Sequence, residues 1–203
     1  MNPSTILQEI TGKIAPGRAP AYTEAHVLTG LEIIGSGLGV GRLHLSVELR
    51  LGEGTVRTMV GRMKDLGLLS TSKGGMKLTQ SGRELMGRFN EMLRASELPK
   101  TPITVGFKNY AILVKGAAPK VSRGIEQRDA AIISGAQGAT TLIYTAGGLR
   151  MPGVKESLEP DIERVILDRL EPKAGDVIII GSSDDPFLSE LGAKAAALEL
   201  LRE

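Results

Sequence analysis

The sequence predicts an α+β protein of two domains, and three observations carry the prediction. Residues Leu43 to Gly82 read as two helices around a tight turn, followed by a short hairpin with a glycine tip. Beyond Pro102, short apolar extended runs alternate with segments of helical period. Between the two halves, SELPKTP (96–102) sets two prolines and a polar run against helical continuity. The boundary is therefore placed there, giving domains 1–97 and 98–203.

Composition excludes several classes of function. The chain has 203 residues, 41% hydrophobic and 24% charged, enough to bury two small cores. Cysteine is absent and only His26 and His44 are present. Disulfides, thiolate catalysis and cysteine-held metals are thereby excluded, and no metal site or cofactor is expected. No apolar run approaches the ~20 residues of a membrane span, and the N-terminus has no signal-peptide pattern. A cytoplasmic protein without a membrane partner is the expectation. The net charge is +2, and its distribution is uneven. Residues 1–97 carry 12 Lys/Arg against 9 Asp/Glu, and residues 98–203 carry 13 against 14. That asymmetry suits an N-terminal contact with a polyanion but is too small to establish one.

In chain order, a short amphipathic stretch runs from Ile6 to Ile14, and APGRAP follows as a loop or arm. Val27, Leu28, Leu31 and Ile34 recur at helical spacing behind Thr23, a residue type suited to an N-cap. GSGLGVG ends that helix. Leu43, Val47 and Leu49 suggest a second short helix, closing near Arg50-Leu51. After Gly52 a third helix is expected over about 53–66, with Val56, Val60 and Met63 on its apolar face. A hairpin over about 69–78 turns at Lys73-Gly74-Gly75, and a helix from Thr79 carries Leu85, Phe89, Met92 and Leu93 as an apolar stripe. In the second half, ITVGFKNYAILVKG, ATTLIYTAG and GDVIIIGSS read as extended. IEQRDAAIISGAQG, PDIERVILDRL and DDPFLSELGAKAAALELL read as helices, the first capped by glycine and the second with proline in its first turn, where a missing N–H costs little.

The stretch LGEGTVRTMVGRMKDLGLL, continued by the return strand LTQSGREL, resembles bacterial and archaeal winged helix-turn-helix regulators over about 60 residues. The resemblance implies a transcriptional regulator that binds double-stranded DNA and is no enzyme. Its recognition helix (about 53–66) would enter the major groove, and its wing (about 69–78) would touch the backbone or an adjacent groove. The candidate DNA-binding residues are then Thr55, Arg57, Thr58, Arg62, Lys64 and Lys73. Arg57 can pair with guanine O6 and N7, Thr55 with a phosphate or base edge, and Arg62 and Lys64 with phosphates. Lys73 at the wing tip would reach a phosphate or neighbouring groove. Glu53 is open to three readings: it favours the positive end of the helix dipole, accepts from cytosine N4, or orients Arg57. Two alternatives stand beside this reading, a merely solvated cationic face and a winged helix that docks protein.

In the second half, IEQRDAAIISGAQGATTLI and GDVIIIGSSDDPFLSELGAKAAALELL are similar to the GAD domain of bacterial-type aspartyl-tRNA synthetases and of the tRNA-dependent amidotransferase B subunit. A winged helix followed by a GAD-like half resembles a family of archaeal regulators of unassigned function. The resemblance implies a small α+β domain with no catalytic residues to transfer. It also sustains a rival function, an RNA-, tRNA- or translation-linked binding protein. The GAD-like half is expected to sense an unidentified small-molecule effector or to pair two copies, and a homodimer is expected through the stripe on the helix from Thr79. Asp176, Asp184 and Asp185 flank the last strand, where acids sometimes hold a metal; Asp184 or Ser183 is instead read as the cap of the final helix. Tyr110, Arg123, Arg128, Tyr144 and Arg150 are candidate pocket residues that the sequence gives no reason to gather.

Overall fold

The computed structural model describes residues 3–13, 19–37, 39–154 and 156–202. Part of the expected APGRAP arm and Leu38 of GSGLGVG lie outside them. The chain forms two compact units, Met1–Glu91 and Met92–Glu203.

The first unit contains α1 (Pro3–Thr11), α2 (Glu24–Gly35), α3 (Arg42–Glu48), α4 (Glu53–Asp65), β1 (Leu69–Ser72), β2 (Gly75–Leu78) and α5 (Gln80–Met92). Leu7, Ile10, Val27, Leu28, Leu31, Ile34, Val56, Met59 and Met63 are buried, so amphipathic helices supply its core. Thr23 caps α2, and its backbone N–H donates to His26 Nδ1 at 3.2 Å, satisfying a donor that precedes the helix. The short α3 departs from the expected phase. Leu45 and Leu49 are fully buried, whereas Leu43 and Val47 are 64% and 66% exposed. Leu49 and Leu45 are four residues apart and share a face, which leaves Leu43 and Val47 pointing outward.

β1 and β2 pair antiparallel from Leu69↔Leu78 to Ser72↔Gly75. A third segment joins them, because Met76 N–H donates to Val40 C=O at 2.9 Å. GSGLGVG thus both ends α2 and returns to edge the hairpin. Helix, bridging segment, two helices and a hairpin, in that order, make the first unit a winged helix-turn-helix.

The second unit contains β3 (Leu93–Leu98), β4 (Lys108–Val114), α6 (Ile125–Ile133), β5 (Gly138–Thr145), β6 (Gly148–Arg150), α7 (Pro160–Leu170), β7 (Val177–Ser183) and α8 (Pro186–Leu201). The strands form one antiparallel sheet in the order β3-β4-β7-β5-β6. The last strand in sequence therefore lies at the centre. Successive residues along it face opposite ways. Ile178 and Ile180 join Ala111, Leu113, Ile162, Ile166 and Leu170 in a core beneath α7. On the other face a Cβ added at Gly181 would lie 2.2 Å from Ser189 C=O, so α8 lies directly against β7 there. Burial on both faces explains the uninterrupted apolar run VIII. Two expectations change here. Leu93–Leu98 is an edge strand rather than the tail of a helix and the start of a linker, and the second unit begins at Met92 rather than at 98. The stripe expected to pair copies is occupied within the fold, since Leu85 and Phe89 are buried.

Candidate functional site

The turn between α3 and α4 is closed by backbone geometry. Leu51 N–H donates to Ser46 C=O, and Arg50 takes a left-handed conformation at φ 51°. Gly52 precedes α4, whose first turn holds the exposed Glu53 and Gly54 and the half-buried Thr55. Val56, Met59, Val60 and Met63 fix the rotation of α4 about its axis by burying one face. Arg57, Gly61 and Lys64 then fall at i, i+4 and i+7, a single stripe on the flank of α4 that adjoins Val60.

That stripe forms one wall of a groove of about 730 Å³, with the hairpin as the other wall and Gly39–Arg42 at one end. Arg42, Arg57, Lys64 and Lys73 line it, and among the described residues no acidic side chain does. Four cations from three elements therefore converge on one concave surface, which suits a phosphate chain. Gly61 leaves the wall open, since a Cβ there would meet nothing within 4 Å.

The hairpin is held by close backbone approach. A Cβ on Gly39 would lie 2.3 Å from Gly74 C=O, and one on Gly75 would lie 2.6 Å from Gly39 C=O. Both residues also have positive φ, 66° and 100°, so glycine is required at both on two counts. At the tip, Gly74 N–H donates to Ser72 Oγ at 3.2 Å, fixing the turn that presents Lys73.

Of the six expected residues, Arg57, Lys64 and Lys73 line the groove. Thr55 is half-buried at the start of α4, and Thr58 is exposed with its hydroxyl donating to Gly54 C=O at 3.1 Å. Arg62 is placed differently. Its Nη1 donates to Ile10 C=O and, at 2.8 Å, to Gly12 C=O, so its guanidinium ties α4 to the end of α1. Five residues separate Arg62 from Arg57, a rotation of ~140° about the helix. Arg42 escapes a reading of the sequence, because contacts distant in sequence, the Val40–Met76 bridge and the approach of Gly39 to Gly74 and Gly75, bring the start of α3 beside the wing.

The acidic residues around β7 hold backbone. Asp176 accepts from Gly116 N–H through Oδ1 and from Lys173 N–H through Oδ2, both at 2.8 Å. Asp185, rather than Asp184 or Ser183, caps α8, accepting from Phe187 N–H at 2.9 Å. Asp184 accepts from Gln137 Nε2 and Phe107 N–H. The Gln137 contact, then the Phe107 N–H and the nearby Lys100 hold its carboxyl below the usual range. Among the described residues no group of His, Asp and Glu is arranged to hold a metal. Tyr110 and Tyr144 do not share a pocket. Tyr144 packs on the α7 core with Ala111 and Leu113, while Tyr110, next to Ala111 along β4, faces the other side of the sheet. No helix among the described residues is long and apolar enough to cross a membrane.

The first unit is thus of the winged-helix class, with a cationic groove between the second helix of its helix-turn-helix and its wing. Comparison with known proteins agrees. Residues 28–93 match a family described as the CggR N-terminal DNA binding domain. Residues 105–200 match a domain of unknown function, DUF4443. Among solved structures, a hypothetical protein from Pyrococcus horikoshii OT3 is 27% identical, with a TM-score of 0.69 over 87% of this chain and 91% of that one. No curated protein matches.

Proposed function

We propose that this chain is a sequence-specific, DNA-binding transcriptional regulator and not an enzyme. The observation that carries the reading is the groove on which Arg42, Arg57, Lys64 and Lys73 converge. The match of residues 28–93 to a DNA-binding domain supports it. In this reading the first turn of α4 enters the major groove. Arg57, with Thr55 and Thr58 beside it, reads base edges, and a bidentate pair with guanine contributes ~1–3 kcal/mol of discrimination. Lys64 and Arg42 hold phosphates, and Lys73 follows the backbone toward the adjacent groove. Arg62 has no part in base or phosphate contact and orients α4 instead.

The second unit pairs two copies, so that two wings read two half-sites, or answers to an effector, and it has no catalytic role. The protein acts in the cytoplasm.

The test is selection from a random duplex pool in the presence of excess tRNA. Enrichment of a defined motif supports the regulator. Equal retention of all duplexes, or displacement of DNA by tRNA at matched salt, rejects it in favour of a translation-linked binder.

A further inference from the structure

Helix α6 has an exposed face whose sequence is complementary to itself when reversed. Ile125, Arg128, Asp129 and Ile132 lie within a ~100° arc of the helix, opposite the buried Gln127 and Ala131. Ile132 and Ile125 are 47% and 42% exposed, and the adjacent Ile133 is 85% exposed. Isoleucines this open on one short helix are more than scattered surface apolarity.

The charges indicate the occupant. Arg128 and Asp129 are half-exposed neighbours joined by a long 3.3 Å contact. Rotating α6 by a twofold axis passing between residues 128 and 129 sets Arg128 opposite the partner's Asp129, and Asp129 opposite the partner's Arg128. The same operation sets Ile125 opposite the partner's Ile132 at both ends. Both charge pairs and both apolar pairs are thereby made by one axis, as an isologous interface requires.

Two nine-residue helices alone bury less than the ~800 Å² per partner of a standard interface. Further exposed apolar side chains lie near the segment that follows α6. Gln137, four residues beyond α6, is bonded to Asp184, which also holds Phe107 N–H. Val105 and Phe107 on that loop are themselves large exposed apolar side chains. A modest, concentration-dependent association follows.

We infer that α6 is the self-association surface of this protein, pairing antiparallel with α6 of a second copy through reciprocal Arg128–Asp129 contacts flanked by Ile125 and Ile132. This rests on the proposed reading only in giving the pairing a use, the presentation of two winged helices to one DNA site.

Sedimentation velocity of the full chain without DNA, from about 1 to about 300 µM, tests it over the range of weak association. The wild type is expected to move from monomer to dimer mass. R128D and D129R, each placing like charges across the axis, are expected to remain monomeric. An equimolar mixture of the two is expected to recover dimer mass, because one chain then brings two carboxylates to the axis and the other two guanidinium groups. That recovery also shows that both variants are folded. A wild type that stays monomeric, single variants that dimerise like it, or a mixture that fails to recover would each overturn the assignment. Because no DNA is present, these outcomes leave the DNA-binding reading to its own test.

Discussion

Arg62 on α4 donates through Nη1 to the backbone carbonyl of Ile10 on α1, a carbonyl that also accepts from Tyr22 O–H at 3.0 Å. One arginine and one tyrosine thus fasten the last turn of α1, where carbonyls lack helical partners, to the helix that lines the groove. Burial raises the Tyr22 pKa, and the Arg62 guanidinium opposes that rise.

Arg62→Ala is therefore expected to lower stability more than it lowers DNA affinity measured on the folded fraction. Hydrogen bonds from a charged donor contribute about 1.5–3 kcal/mol, and loss in that range is expected in urea unfolding. Tyr22→Phe, which removes one neutral donor, is expected to cost about 1 kcal/mol. An Arg62→Ala protein of native stability that had lost DNA binding would return Arg62 to the interface.

Gly61 separates occupancy of the groove from integrity of the fold. Its Cβ position is open, so Gly61→Ala is expected to stabilise the helix by up to ~1 kcal/mol. Gly61→Glu adds bulk and negative charge to the wall and is expected to abolish DNA binding while raising or preserving Tm. The two measurements are anisotropy with a labelled duplex and a thermal melt.

Gly39 and Gly75 behave oppositely. Alanine at either meets backbone below 3 Å and a positive φ, so each substitution is expected to cost more than ~1 kcal/mol and to loosen the wing. Hydrogen exchange at Met76 N–H, which is bonded to Val40, reports that loosening directly.

Stability depends on pH through His26. Burial lowers its pKa from 6.5 to about 4. The unfolded chain therefore binds a proton that the folded chain refuses between those values. Its contribution is complete above pH 6.5 and is lost as pH falls toward 4, by about 1.4 kcal/mol per unit of displacement. Urea midpoints of wild type and His26→Gln are expected to differ in pH slope across that window and to run parallel above it.

Much of this was legible in one dimension, where periodicity was strong. Val56, Val60 and Met63 set the phase of α4, and the glycine tip set the wing. The same phase, followed further, separates Arg57 and Lys64 from Arg62. A seven-residue helix gives too few turns to phase, so apolar spacing favours Leu43 and Val47 beside Leu49 for the interior, when Leu45 is the residue buried with Leu49. Met92 and Leu93 continue the apolar spacing of α5 although the chain switches there to a strand, a switch decided by pairing with Val114 across the sheet. Arg42 carries no local signal at all, because its place in the groove depends on a contact between Val40 and Met76, distant in sequence.

The salt dependence of duplex binding shows whether the cations of the groove meet phosphate. Each phosphate contact removed is expected to reduce the slope of log K against log salt by ~0.9. Replacing Arg42, Lys64 and Lys73 together by alanine is therefore predicted to flatten the wild-type slope by roughly 2–3 while leaving the fold intact. A slope unchanged by the triple substitution would mean that the groove between α4 and the wing is not where this protein meets DNA.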